Sequence, residues 1–287
     1  MLISVIIPAY NAQKSLSSLL DSLTVQSYRG FEIIIVDDCS TDHTSVVAQR
    51  YDFQLINLEK NRGPAFCRNI GSGKANGEIL AFTDSDCRAD LDWLENIHRH
   101  FINDEADALI GKVILNPSNS LGDSISALGF PAGGSVGFDK IWRVDGNGFT
   151  NSLSSCNCAI KKDAFESAGG FDETFPYAGG EDSYLAYSLM QSGHTIKYCP
   201  DVIMYHEARD SLKDFLKWQF RRGVSSYIFS QKVKEKKDFF RLRYWSTKNV
   251  IKNGLNDKKM PLILMLLFIG LAMQTAGAFC GKYMDVR

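Results

Sequence analysis

Ile79-Leu80-Ala81-Phe82-Thr83-Asp84-Ser85-Asp86-Cys87 runs four apolar residues straight into two carboxylates set one residue apart. The apolar run predicts a buried strand, and alternation along an extended chain puts Asp84 and Asp86 on one face. Carboxylates so placed suit a hard divalent cation, Mg2+ or Mn2+, held jointly with a diphosphate. A plainer account also fits, in which an Asp- and Ser-rich turn simply closes a strand.

Upstream, Ser4-Val5-Ile6-Ile7-Pro8 is a β-branched run that leads through Ala9-Tyr10-Asn11 into a helix with apolar positions Leu16, Leu19, Leu20 and Leu23. Phe31 to Val36 is a second apolar run, closed by Asp37-Asp38-Cys39-Ser40-Thr41-Asp42, and Thr44 to Arg50 is helical. This alternation predicts an α/β fold built on a mainly parallel sheet. Ligands of such sheets bind beyond the carboxyl ends of the strands, where Tyr10, Asp38 and Asp86 all fall. Neither a G-x-G-x-x-G turn nor a Walker loop follows the first strand. Tyr10 and Asp38 instead suit a nucleoside, its ring stacked on the tyrosine and an N–H donated to the carboxylate. Packing by Tyr10 and helix capping by Asp38 is the alternative.

Downstream, Arg68 lies one turn into a helix opened by Asn61-Arg62-Gly63-Pro64, where it meets either a phosphate or a surface acid. Residues 116 to 151 are rich in Gly, Ser and Asn without helical periodicity, which predicts a long loop region walling an acceptor site. Gly179-Gly180-Glu181-Asp182 precedes a helical run, so Asp182 is either an N-cap or a general base at the crevice rim. Ile196 to Cys199 and Val202 to Tyr205 read as strands, after which His206 is structural or a ligand.

With 45% hydrophobic residues, the 287-residue chain holds enough apolar mass for one large or two modest domains. Its seven cysteines are odd in number and scattered, as reduced structural thiols would be. Met1 to Ile7 reads directly into a strand, which places the N-terminal part in the cytosol. The net charge of −1 conceals an asymmetry: residues 1–208 hold 15 Lys/Arg against 27 Asp/Glu, and 209–259 hold 15 against five. Such a basic block meets nucleic acid or an anionic membrane face. The uncharged run that follows it, Met260 to Cys280, is long enough to cross a bilayer and decides for the membrane, with no nucleic acid expected. From Leu212, apolar residues line one helical stripe with Lys213, Lys217 and Arg221 opposite, in a helix either interfacial or packed on the domain. The expected organisation is a catalytic part over 1–208, a basic helical region over 209–259, a transmembrane helix over 260–281 and a tail over 282–287. By the excess of Lys before the apolar run, the catalytic part faces the cytoplasm from a single-pass anchor in the cell membrane.

Four blocks together resemble the inverting family 2 glycosyltransferases of GT-A fold: Val5 to Asn11, Ile35 to Asp42, Thr83 to Asp86, and Gly170-Phe171-Asp172 with Gly180-Glu181-Asp182. The resemblance covers residues 3 to about 208. It implies a metal-dependent transfer from a UDP-, GDP- or TDP-sugar to a hydroxyl of a glycan or lipid-linked acceptor, as in cell-surface polysaccharide or glycolipid synthesis. Pro8, Tyr10, Asp38, Arg68 and Asp84 would contact the donor, and Asp86 with His206 the Mn2+ or Mg2+. Asp182 would be the catalytic base, and Glu181, Arg221 and Arg222 are candidate contacts to acceptor or diphosphate. Tyr184 and Ser188 stand where many relatives carry an acid and an arginine. Gly223 replaces the tryptophan of the processive synthases' glutamine-x-x-arginine-tryptophan motif, which implies single additions. Two other readings stay open: a polyprenyl-phosphate sugar transferase, and a nucleotide-sugar-binding protein of the same fold without turnover.

Overall fold

A computed structural model describes residues 1–103, 106–128, 144–233 and 258–284. In chain order the elements are β1 (Ile3–Ala9), α1 (Leu16–Thr24), β2 (Phe31–Asp37), α2 (Thr44–Ala48), β3 (Gln54–Asn57), α3 (Pro64–Lys74), β4 (Ile79–Thr83), β5 (Cys87–Ala89) and α4 (Trp93–Ile102). They continue with β6 (Ala108–Leu115), α5 (Ser120–Ala127), β7 (Asn157–Lys161), α6 (Lys162–Ser167), α7 (Glu181–Gln191), β8 (Ile196–His206), α8 (Leu212–Lys232) and α9 (Met260–Tyr283). The two strands expected near 196–205 are one continuous β8. The chain divides into two compact units, Met1–Ile114 with Ile141–Pro176 and Glu181–Glu207, and Leu115–Lys140 with Tyr177–Gly180 and Ala208–Arg287. Of the expected acceptor-facing loops over 116–151, residues 129–143 lie outside the described residues.

The first unit is built on one eight-stranded sheet of order β3-β2-β1-β4-β7-β6-β8-β5. β1 pairs in parallel with β2 and β4, and β2 with β3, as the sequence alternation predicts. The other half is not parallel, because β7 runs antiparallel to both β4 and β6, and β5 antiparallel to β8. The sheet is therefore mixed rather than mainly parallel. β-Branched residues favour the pleated, two-sided burial of its centre, and Ile3, Val5, Ile6 and Ile7 of β1 are wholly buried. α1 buries Leu16, Leu19, Leu20 and Leu23, the stripe read from the sequence.

Two small residues let elements approach closely. A Cβ on Gly71 of α3 would lie 2.6 Å from Ile6 Cγ2 of β1, and one on Gly111 of β6 would lie 2.2 Å from the Val202 carbonyl oxygen of β8. Beside Gly111 the buried Asn157 accepts from Trp93 Nε1 at 2.9 Å and donates to the Lys112 and Val202 carbonyls, both at 2.9 Å. An amide with every hydrogen-bonding group occupied can be buried where an unpaired one could not.

In the second unit, Ile125 of α5, Phe215 of α8 and Leu266 of α9 form a buried cluster. Lys259 Nζ reaches Asp123 Oδ2 at 2.6 Å and ties the start of α9 to α5. α8 and α9 run side by side in the same direction: Gly270 faces Phe215 and Gln219, Gly277 faces Phe220 and Gly223, and Gly281 faces Val224 and Tyr227. The approach is backbone to backbone, since a Cβ on Gly277 would lie 2.0 Å from the Phe220 carbonyl oxygen. Gln274 Nε2 donates to Gln219 Oε1 across this seam. α9 has 24 residues, with a mean hydropathy of 2.1 over its most apolar 18-residue stretch, long and apolar enough to cross a membrane by those measures.

Candidate active site

The buried strand β4 ends at Thr83, and the chain then emerges with Asp84 and Asp86 about one-third exposed. Rather than facing one point together, the two carboxylates take separate partners. Asp84 Oδ1 accepts from Arg68 Nη2 at 2.7 Å, whereas Asp86 Oδ1 lies 3.3 Å from His206 Nε2. The β5–β8 ladder is responsible, because it sets Cys87 directly opposite His206 and so carries the neighbouring Asp86 to the imidazole.

Arg68 is 1% exposed, and its fork holds Glu181 Oε1 through Nη1 at 3.0 Å as well as Asp84 through Nη2. The sequence expected this guanidinium beside the donor; it is instead enclosed as a bridge between the end of β4 and the start of α7. Burial works against its charge, but Asp84 and Glu181 outweigh that and hold it firmly protonated. A planar fork can serve two carboxylates at once where an ammonium cannot. Its Nε is buried without a partner among the described residues.

Glu181 and Asp182 stand in the first turn of α7, entered through Gly179 and Gly180 at φ 109° and 116°. Such angles favour glycine. Glu181 is 1% exposed and committed to Arg68, so it is not an available contact for acceptor or diphosphate. Asp182 is more open, and its Oδ1 accepts from the Ser183 backbone N–H at 2.7 Å. Asp182 is also close enough to contribute to the field that favours the Arg68 charge.

At the ends of β1 and β2, Tyr10 is 51% exposed and presents its ring to solvent. Pro8, two residues before it in β1, is half-buried. Asn11 at φ 50° braces the loop by accepting from Thr41 N–H at 2.9 Å and donating its own N–H to Ser40 Oγ at 2.9 Å. Asp38 is buried, and its carboxylate accepts the Arg62 and Gly63 backbone N–H groups at 2.7 and 2.9 Å. It clamps the entry to α3 rather than capping α2. Gly63 at φ 86° followed by Pro64 was the sequence signal for that tight entry.

The ligand atoms of Asp86, Cys87 and His206 lie within 4.8 Å of one another. His206 Nδ1 donates to the Glu207 carbonyl at 2.8 Å in the tautomer that leaves the Nε2 lone pair facing Asp86, the orientation a metal-binding imidazole requires. Burial opposes protonation of His206, yet the Asp86 carboxylate more than compensates and its pKa is raised. The Cys87 thiol is pushed well up by burial and stays protonated. A hard cation at this point would therefore be held by Asp86 and His206, which fit it, with Cys87 as a neutral neighbour. Arg221 and Arg222 lie in the second unit, stacked over Tyr177 and Trp218 at 4.7 and 5.1 Å.

Sequence reasoning missed the Arg68–Glu181 bridge, since 113 residues separate its partners. It also missed Cys87, which only the antiparallel pairing brings to His206.

The family described as Glycosyl transferase family 2 matches residues 4–167. Glycosyltransferase AglE of Haloferax volcanii is 28% identical over 233 residues, covering 77% of this chain and 71% of that protein. The first curated relatives are spanned over 71% and 44% of their own lengths. Among solved structures, mannosyltransferase PcManGT from Pyrobaculum calidifontis in complex with GDP-Man and Mn2+ superposes with a TM-score of 0.60 at 20% identity, covering 96% of this chain and 84% of that one. S. aureus TarS 1-349 in complex with UDP-GlcNAc gives 0.57 at 20% identity, over 95% and 81%.

Proposed function

The chain belongs to glycosyltransferase family 2, with its GT-A-type fold, and is a transferase enzyme; from that premise we propose that it moves one sugar, with inversion, from a nucleoside-diphosphate sugar to a hydroxyl of a glycan or lipid-linked acceptor. The observation that carries the reading is the Arg68 bridge. It fixes Asp84, on the strand end where a donor would lie, at a set distance from the first turn of α7, which presents Asp182. Structural neighbours solved with UDP-GlcNAc and GDP-Man support a nucleotide-sugar donor.

In this reading the exposed Tyr10 ring stacks on the nucleoside base, with Pro8 beneath the same loop. Asp38 shapes the base pocket by pinning the Arg62–Gly63 backbone. Asp84, its charge half-compensated by Arg68, accepts from a donor hydroxyl with its remaining oxygen. Asp182 takes the proton of the acceptor hydroxyl as the oxygen attacks the anomeric carbon. Glu181 keeps Arg68 charged and α7 in register, so that Asp182 is held rather than mobile. A divalent cation, Mg2+ or Mn2+, on Asp86 and His206 supplies charge neutralisation to the departing diphosphate.

The test is Asp182→Asn. Donor affinity by calorimetry should stay within a few-fold of the parent, while release of nucleoside diphosphate in the presence of acceptor falls by a factor of about 10² to 10⁴. Near-normal turnover would place the base elsewhere and would also favour an acceptor that arrives already ionised, such as a lipid phosphate.

A further inference from the structure

The sequence leads to α9 as a single-pass span, and its length and hydropathy fit one, but its packing against α8 favours a different placement. Gln219 abuts Gly270 near the midpoint of α9. Lys217 and Arg221 of α8, half a turn to either side of Gln219, would then lie close to the bilayer mid-plane if α9 crossed it. Charged side chains at that depth are costly. Nor can α8 be peeled away without loss, because Gly223 and Gly277 bring the two backbones into direct contact and Gln219 and Gln274 bond across the seam.

The two sides of α9 differ. Ile263, Leu266, Gly270, Gly277 and Gly281 form the buried stripe against α8. On the opposite side Leu264, Met265, Phe268, Leu271 and Phe279 are exposed, Phe268 by 75% and Phe279 by 64%. Water does not suit a continuous apolar stripe of that length.

We propose that α8 and α9 lie parallel to a membrane surface, with the Leu264–Phe279 stripe of α9 sunk to the acyl boundary and α8 stacked on the opposite side of α9, among anionic phospholipid headgroups. Charge selects this occupant. Residues 209–259 carry 15 Lys/Arg against five Asp/Glu, which favours an anionic lipid surface. This inference is independent of the catalytic reading, because both helices lie in the second unit.

Two measurements on the full chain test it. The first is flotation with vesicles of phosphatidylglycerol and phosphatidylcholine. The parent should float with them, and the Phe268→Glu, Leu271→Glu double variant should lose at least tenfold in bound fraction with an unchanged melting temperature, since both positions are exposed. A parent that stays unbound and runs as a dimer, which the double variant makes monomeric, would overturn the proposal in favour of self-association. The second measurement needs no substitution in the helices. In sealed inside-out membrane vesicles from cells making Arg287→Cys, a membrane-impermeant maleimide should label the C-terminal peptide equally before and after detergent, as read by mass spectrometry. Labelling that appears only after detergent would show that α9 crosses the bilayer.

Discussion

Arg68 is the residue on which two carboxylates of different provenance depend, one from the sheet and one from α7. Removing it takes from Glu181, which is 1% exposed, the guanidinium it pairs with at 3.0 Å. Arg68→Met is therefore expected to lower unfolding free energy by about 3–5 kcal/mol, the usual cost of breaking a buried ion pair by removing one member. Arg68→Lys keeps the charge but reaches only one carboxylate at a time. It should recover part of that stability in urea titrations while leaving turnover depressed more than donor affinity, because the geometry linking Asp84 to α7 is lost. If Arg68→Lys restores both stability and turnover, the bridge is electrostatic filling and does not position the site.

Among the elements, the start of the sheet is tied by a short relay: the Gly77 backbone N–H donates to Ser4 Oγ at 2.8 Å, and Ser4 Oγ donates to Glu32 Oε1 at 2.6 Å. Glu32 also accepts from the Asn76 backbone N–H at 2.6 Å, so β1, β2 and the turn before β4 share one carboxylate. Burial lifts the pKa of Glu32, but these hydrogen bonds from Ser4, Asn76 and Gly77 bring it below its ordinary 4.5. A depressed carboxyl contributes stability above the unfolded value, and that contribution disappears as pH falls through the folded one. Glu32→Gln should thus cost about 1 kcal/mol near neutrality, and the gap between parent and variant should close on acidification below about 4.5. A gap that is constant with pH would remove the charge from the account. Elements of this half were legible in the sequence because they are local: apolar runs gave β1, β2 and β4, and leucine spacing gave α1. In the antiparallel half the apolar runs of β8 were read as strands, but the pairing was not legible, since β7 and β8 are recruited across long separations and their pairing leaves no mark on periodicity. For the same reason Asp84 and Asp86 looked like partners, when the ladder opposite His206 separates them.

At the scale of the whole molecule, the first 208 residues carry 12 more acids than bases, with 15 Lys/Arg against 27 Asp/Glu. A nucleoside diphosphate entering such a field needs its own cation. UDP- or GDP-sugar at a hundredfold excess over its dissociation constant, with Mn2+, should stabilise the protein by about 2.7 kcal/mol. The gain should vanish with a chelator or in Asp86→Ala; undiminished stabilisation there would exclude Asp86 from holding the ion. One feature of the sheet reaches further. β4 and β5 are four places apart in the strand order, about 19 Å in a flat sheet, yet the links from Thr83 to Cys87 reach about 14 Å at most. The sheet must curl back on itself, and Asp84-Ser85-Asp86 is the strap that holds the curl closed. Deleting one residue there would shorten the strap to about 11 Å and prise β5 from β8. The one-residue spacing of the carboxylates is in this sense a mechanical tolerance: a side-chain change at Ser85 leaves the length of the strap intact, whereas trimming the segment would open the sheet.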